Sequence, residues 1–125
     1  MDGLLSVTKR FEFDYAHKLP DYDGPCSRLH GHRGVLEVEL VKEGLPNQFN
    51  TYEGMVIDFT DLKRVVKEVI IDRFDHYYLN DILAVPTAEN MVKFTVKKLK
   101  EHFGRALIRV RIYETPSSFA EWRAR

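Results

Sequence analysis

Apolar and polar residues alternate with a period of two in two long stretches, 5–18 and 31–42, and again over 106–114. In the first, Phe11, Phe13, Tyr15 and His17 share one side while Glu12 and Asp14 take the other. In the second, His30, His32, Gly34, Leu36, Val38 and Leu40 share a side, opposed by Glu37 and Glu39. In the third, Ile108, Val110 and Ile112 face one way, Arg109 and Arg111 the other, and Glu114 follows the apolar parity. A period of two is the mark of half-buried strands. Between them the period lengthens to three and four. Phe59, Leu62, Val66, Val69 and Ile70 predict a helix over 59–73 with Asp58 as its cap. Val92, Val96, Leu99 and Phe103 predict a second, opened by Pro86-Thr87 and stopped by Gly104. Met55-Val56-Ile57 reads as a short extended piece, 74–81 as an irregular polar-aromatic segment, and 119–122 as a last short strand. The predicted order is β-β-α-α-β-β, an α+β antiparallel sheet with two helices on one face. A sheet of this size leaves open edges that oligomerisation would close.

Histidines interrupt this pattern where it is cleanest. His30 and His32 occupy apolar-side positions at the start of the second strand, and His17 does so at the end of the first. Burying polar groups without partners costs roughly 1–3 kcal/mol each, so three imidazoles on a core face need either hydrogen-bond partners, as ordinary core histidines have, or a metal. If the two strands are neighbours, the three converge as in a catalytic zinc site with one position open. Cys26, four residues before His30 in a Gly-Pro-Cys-Ser loop, is the alternative fourth ligand of a structural site or a reactive thiol beside the cation.

Composition narrows the setting. The 125 residues predict a single domain, 1–125. The 19 basic and 19 acidic residues cancel, which gives no footprint for nucleic acid or membrane. One cysteine permits no intrachain disulfide, and no apolar run is long enough to span a bilayer, so the expected location is cytoplasmic.

Further polar residues carry chemistry. Asp75-His76 supplies the two halves of a proton relay, or a plain surface turn. Thr87 reads as a helix cap, and Glu89 is suited to the first helical turn. Glu114, sent inward after three apolar residues, needs a donor partner. A ring with adjacent N–H groups, such as an aminopyrimidine, would satisfy it in bidentate fashion.

Taken in order, Phe13-x-x-x-His17, Cys26-x-x-x-His30-Gly31-His32, Met55-Val56-x-Asp58-Phe59-x-x-Leu62-Lys63, Asp75-His76-x-x-Leu79-Asn80, Pro86-Thr87-x-Glu89-Asn90 and Tyr113-Glu114-Thr115 resemble the 6-pyruvoyl-tetrahydropterin synthase / 6-carboxy-tetrahydropterin synthase family. The resemblance implies a tunnelling fold, with trimers closing a twelve-stranded barrel and two trimers forming a homohexamer whose active sites lie at subunit boundaries. It implies Zn2+ on His17, His30 and His32, Cys26 as general base, and Asp75-His76 as the second proton-transfer unit. Glu114, with Thr87 and Glu89, would anchor the pterin ring of 7,8-dihydroneopterin triphosphate. Three residues separate Cys26 from His30-Gly31-His32, the spacing of the carboxy-forming branch, which releases acetaldehyde and feeds 7-deazaguanine synthesis. The animal-type pyruvoyl-forming enzymes have five, and a folate-linked branch replaces the cysteine with glutamate. A pyruvoyl-forming lyase is the alternative product assignment, and a non-catalytic zinc- or pterin-binding homologue the alternative of another class.

Overall fold

The computed structural model describes residues 2–20, 23–49 and 51–125. Two twelve-residue strands, β1 (Ser6–His17) and β2 (His30–Val41), pair antiparallel along their whole length. The alternation predicted for them is realised, and Phe13, Tyr15, His17, Leu36, Val38 and Leu40 are buried. Helix α1 (Phe59–Val66) starts at Asp58, whose carboxylate accepts from the Thr60 amide at 2.8 Å. A π-helical turn (Lys67–Ile71) and a final helical turn, α2 (Asp72–Phe74), continue the run. Helix α3 (Ala88–Phe103) is capped by Thr87 and ends at Gly104, whose φ of 56° is the left-handed conformation that glycine adopts without penalty. Strands β4 (Leu107–Thr115) and β5 (Ser118–Arg123) close the chain.

The predicted order lacked one element. Tyr77–Tyr78 forms a two-residue strand, β3, parallel to β1, giving a five-stranded sheet in the order β3-β1-β2-β4-β5. A two-residue strand leaves no periodicity to read. The stretch expected as an extended piece, Met55-Val56-Ile57, forms bends instead, with Val56 and Ile57 buried.

Both helices cover one face of the sheet, and Leu62, Val65, Val66, Ile70, Met91, Leu99 and Phe103 pack into the same core as Leu36, Val38, Val110 and Ile112. Two helix stripes differ in phase from the prediction. The π turn inserts a residue, so Ile70 and Ile71 turn inward and Val69 is only half-buried. In α3 the inward face runs through Met91, Thr95 and Leu99, leaving Val96 at its margin. A bulge near the start of β4 pairs Leu40 with Leu107 and Glu39 with Arg109, which makes Ile108 the extra residue. Leu107, rather than Ile108, therefore fills the core position.

Gly34 lets two aromatic rings cross β2. A Cβ built there would lie 2.7 Å from Phe13 Cζ and 2.9 Å from Tyr15 Cε1, and both rings are buried. Gly34→Ala should therefore destabilise the fold by about 1–3 kcal/mol, an overpacking cost. The shift of the denaturant midpoint at constant slope measures it.

The second face of the sheet is polar. Arg109 Nε donates to Glu39 at 2.7 Å, and the Arg111 guanidinium donates to Glu121 while lying 4.1 Å over the Phe119 ring. Strand β3 pairs only with Tyr15 and Ala16, so the rest of the outer edge of β1 carries no strand partner among the described residues, and neither does that of β5. No helix among the described residues is long and apolar enough to cross a membrane.

Candidate metal centre and adjoining pocket

Antiparallel pairing places His17 directly opposite His30 and Tyr15 opposite His32. Because the three histidines share strand parity, their rings meet on the core face with centroids 4.5, 4.7 and 5.0 Å apart. One ring nitrogen from each lies within 4.8 Å of the others, as a common ion would require. Main-chain carbonyls set the tautomers. His17 Nδ1 faces the Pro86 oxygen at 2.8 Å and His30 Nδ1 faces the Arg28 oxygen at 2.6 Å, so each Nδ1 donates a proton and each Nε2 keeps a lone pair. Those two Nε2 atoms are 2.9 Å apart, and His32 Nε2 is buried without a hydrogen-bond partner.

Two lone pairs in contact and a third orphaned acceptor beside them call for a cation. The donor set, three neutral imidazoles of which two have their Nδ1–H groups held by carbonyls, is the arrangement that suits zinc and other imidazole-binding divalent ions. Burial holds His32 below the ordinary histidine value, aided by His17 and His30 and opposed by Glu114, which favours the neutral ligand form.

Glu114 stands beside this centre, its Oε1 3.8 Å from His17 Nε2. The register of β4 and β5 shifts between Tyr113 and Thr115, so Glu114 sits in a bulge. Its parity with the buried Val110 and Ile112 turns its carboxylate toward the histidines. A cavity of about 540 Å³ opens next to it, lined by Glu89, Glu114, Phe119 and Trp122 among others. That volume suits a small aromatic ligand. The structure thus brings Glu89 and Glu114 to one pocket. Thr87 instead caps α3, its hydroxyl accepting from the Asn90 amide at 3.1 Å.

Asp75 and His76 form a cluster separate from the triad. They join Asp14, whose side chain projects from β1 on the side opposite His17. The Asp14 amide donates to Asp75 Oδ1 at 2.9 Å and holds that carboxyl below the usual range. Asp75 Oδ2 meets His76 Nδ1 at 3.0 Å. His76 has a φ of 63°, an uncommon conformation for a side-chain-bearing residue, pinned by its amide donating to the Asp14 carbonyl at 2.6 Å. Its side chain is 77% exposed, a polar group presented outward rather than toward the triad of its own chain. The Cys26 side chain lies outside the described residues; its backbone belongs to a 3-10 turn, Pro25–Ser27, in the loop before His30.

One participant escaped the sequence reading. Tyr15 packs its ring against His17 and His32, and its buried hydroxyl has no partner among the described residues. Burial first, and then Glu114, push that hydroxyl above the ordinary tyrosine value, so it stays protonated. In the sequence Tyr15 was one more apolar position of an alternating strand, and only the cross-strand register reveals its surroundings.

Known proteins share this fold and sequence. The family model described as 6-pyruvoyl tetrahydropterin synthase matches residues 6–125. The chain is 35% identical to a 6-carboxy-5,6,7,8-tetrahydropterin synthase of Haemophilus influenzae, over 95% of this chain and 99% of that one. It is 39% identical to a putative 6-carboxy-5,6,7,8-tetrahydropterin synthase of Archaeoglobus fulgidus, over 98% of this chain and 99% of the relative. Its fold is similar to that of the Caenorhabditis elegans 6-pyruvoyl tetrahydropterin synthase, with a TM-score of 0.79 and 27% identity over 98% of this chain and 97% of that one. With a matching family model over nearly its whole length and relatives above 30% identity, the chain belongs to the 6-pyruvoyl tetrahydropterin synthase family.

Proposed function

We propose that this tetrahydropterin synthase converts 7,8-dihydroneopterin triphosphate and water to 6-carboxy-5,6,7,8-tetrahydropterin, with release of acetaldehyde and triphosphate, and that it depends on zinc. The observation that carries the metal reading is the convergence of three lone-pair nitrogens, one orphaned and two in contact, on one point beside a carboxylate. His17, His30 and His32 would hold the ion. When bound, zinc supplies Lewis acidity toward the side-chain oxygens of the substrate.

The remaining work falls to side chains. Glu114, with Glu89 across the same pocket, accepts from the N–H groups of the pterin ring and fixes its orientation. Thr87 assists by holding the start of the helix that carries Glu89. Cys26, as thiolate, takes a carbon-bound proton from the substrate side chain. His76, oriented by Asp75 at 3.0 Å, returns a proton elsewhere on the substrate, so that the side chain is oxidised as the ring is reduced. Because His76 presents outward from the opposite sheet face, it would serve the triad of a neighbouring subunit. The open edges of β1 and β5 support the same homohexameric barrel. The three-residue spacing between Cys26 and His30, and the names of the relatives at 35–39% identity, favour the carboxy product; with that product goes the place in cytoplasmic 7-deazaguanine precursor synthesis that the resemblance implies.

Product analysis tests this reading. Zinc-loaded protein mixed with 7,8-dihydroneopterin triphosphate should yield 6-carboxy-tetrahydropterin and acetaldehyde in equal amounts. A 6-pyruvoyl product without acetaldehyde would move the protein to the pyruvoyl-forming branch, the reading that the C. elegans likeness supports. No turnover with metal bound at one per chain would leave a binding homologue.

A further inference from the structure

Two asparagines of the sequence motifs, Asn80 after Asp75-His76 and Asn90 after Pro86-Thr87, have no part in the chemistry above. Asn80 bonds to the main chain of Lys18, next to His17, and Asn90 to that of Val85, next to the Pro86 carbonyl that meets His17, the most deeply buried of the triad at 1% exposure. Strand β3 pairs with β1 only as far as Ala16. Beyond it the Asn80 amide takes over the pairing: Lys18 N donates to Asn80 Oδ1 and Asn80 Nδ2 donates to the Lys18 carbonyl, each at 2.9 Å. These two bonds tether the main chain of Lys18, the residue that follows His17.

On the other side, Asn90 Nδ2 donates to the Val85 carbonyl at 2.8 Å, and the Thr87 amide donates to the same oxygen at 3.0 Å. The Thr87 bond spans two residues and closes a γ-turn around Pro86. The proline ring locks φ, and the turn restricts ψ, so little freedom remains in the direction of the Pro86 carbonyl. That carbonyl receives the His17 Nδ1 proton at 2.8 Å and so fixes both the tautomer and the ring orientation.

We infer that Asn80 and Asn90 are positioning residues for His17 as a metal ligand, acting through the Lys18 main chain and the Pro86 carbonyl. The inference rests on the metal reading above and extends it to two residues that touch neither the ion nor the substrate. Asn80→Asp keeps an acceptor for Lys18 N, removes the donor to the Lys18 carbonyl and sets a carboxylate oxygen against it. Asn90→Asp removes the donor to Val85 while placing a carboxylate in the first turn of α3, where the helix favours it.

Zinc affinity, measured by chelator competition on the full chain, should fall about tenfold or more in each variant, the range for lost outer-shell support. In the zinc-loaded, 15N-histidine-labelled protein, the ring signals of His17 should shift while those of His30 and His32 stay in place. The metal-free unfolding midpoint should stay near the wild-type value. If Asn90→Asp fails to fold, Asn90→Ser, whose shorter side chain does not reach the Val85 oxygen, is read the same way. Wild-type affinity with unshifted His17 signals would overturn the inference, as would equal shifts at all three histidines. A wild-type protein that binds no zinc would instead overturn the metal reading itself, before any variant is compared.

Discussion

Cys26→Ala is expected to leave zinc bound at one ion per chain and to lower turnover by about 10²–10⁴-fold, the contribution of a positioned proton-transfer group. The expectation follows from the donor count. Three imidazoles already account for the protein ligands of a catalytic site, and such a site keeps its fourth position for water or substrate. The carbonyls that orient His17 and His30 belong to Pro86 and Arg28, so removing the thiol disturbs neither tautomer. A thiol near a divalent cation ionises more readily, which suits a base at neutral pH. The opposite result discriminates sharply. If Cys26→Ala releases the metal, the thiol is the fourth ligand, the site is closed and structural, and the enzyme reading falls. Metal content by atomic absorption beside turnover of 7,8-dihydroneopterin triphosphate reads both quantities.

His30→Ala should remove the metal and turnover together. His30 is only half-buried, and its one side-chain hydrogen bond goes to a carbonyl two residues away, so its loss opens no large cavity. What it removes is one of three converging ring nitrogens. The remaining pair, His17 and His32, is too few to hold zinc against a competing chelator. Zinc affinity should drop by at least about 100-fold, a little under 3 kcal/mol at 1.4 kcal/mol per factor of ten. Circular dichroism of the metal-free protein should match the wild type. Retention of stoichiometric zinc in His30→Ala would show that the three histidines are not the ligand set.

The two expected phenotypes together separate the roles within one motif. Cys26 and His30 are four residues apart, yet one change should strip the metal and the other should spare it. Glu114 lies outside that pair. It makes no hydrogen bond to the triad and stands 3.8 Å from His17 Nε2, placed to receive a ligand's N–H groups.

Strand parity alone carried His17, His30 and His32 to one face, because a period of two is a geometric property of extended backbone and needs no knowledge of neighbours. The same rule turned Glu114 inward, and local capping chemistry marked Asp58, Thr87 and Gly104. Those features are short-range, and sequence determines them directly. The rest depended on which segments meet. Strand β3 exists because two residues find the edge of β1, and the π turn in the first helix shifts its inward face to satisfy a core assembled from distant strands. Ile108 gave up its core position to Leu107 through a bulge against β2. The Pro86 carbonyl reaches His17 across 69 residues, and Asn80 reaches Lys18 across 62. Long-range hydrogen bonds of this kind leave no periodic trace. The candidate ligands were therefore written in the local pattern, whereas their tautomers, the surroundings of Tyr15 and the cluster that Asp75 and His76 form with Asp14 were decided by tertiary structure, because each depends on a partner that only the folded chain brings near.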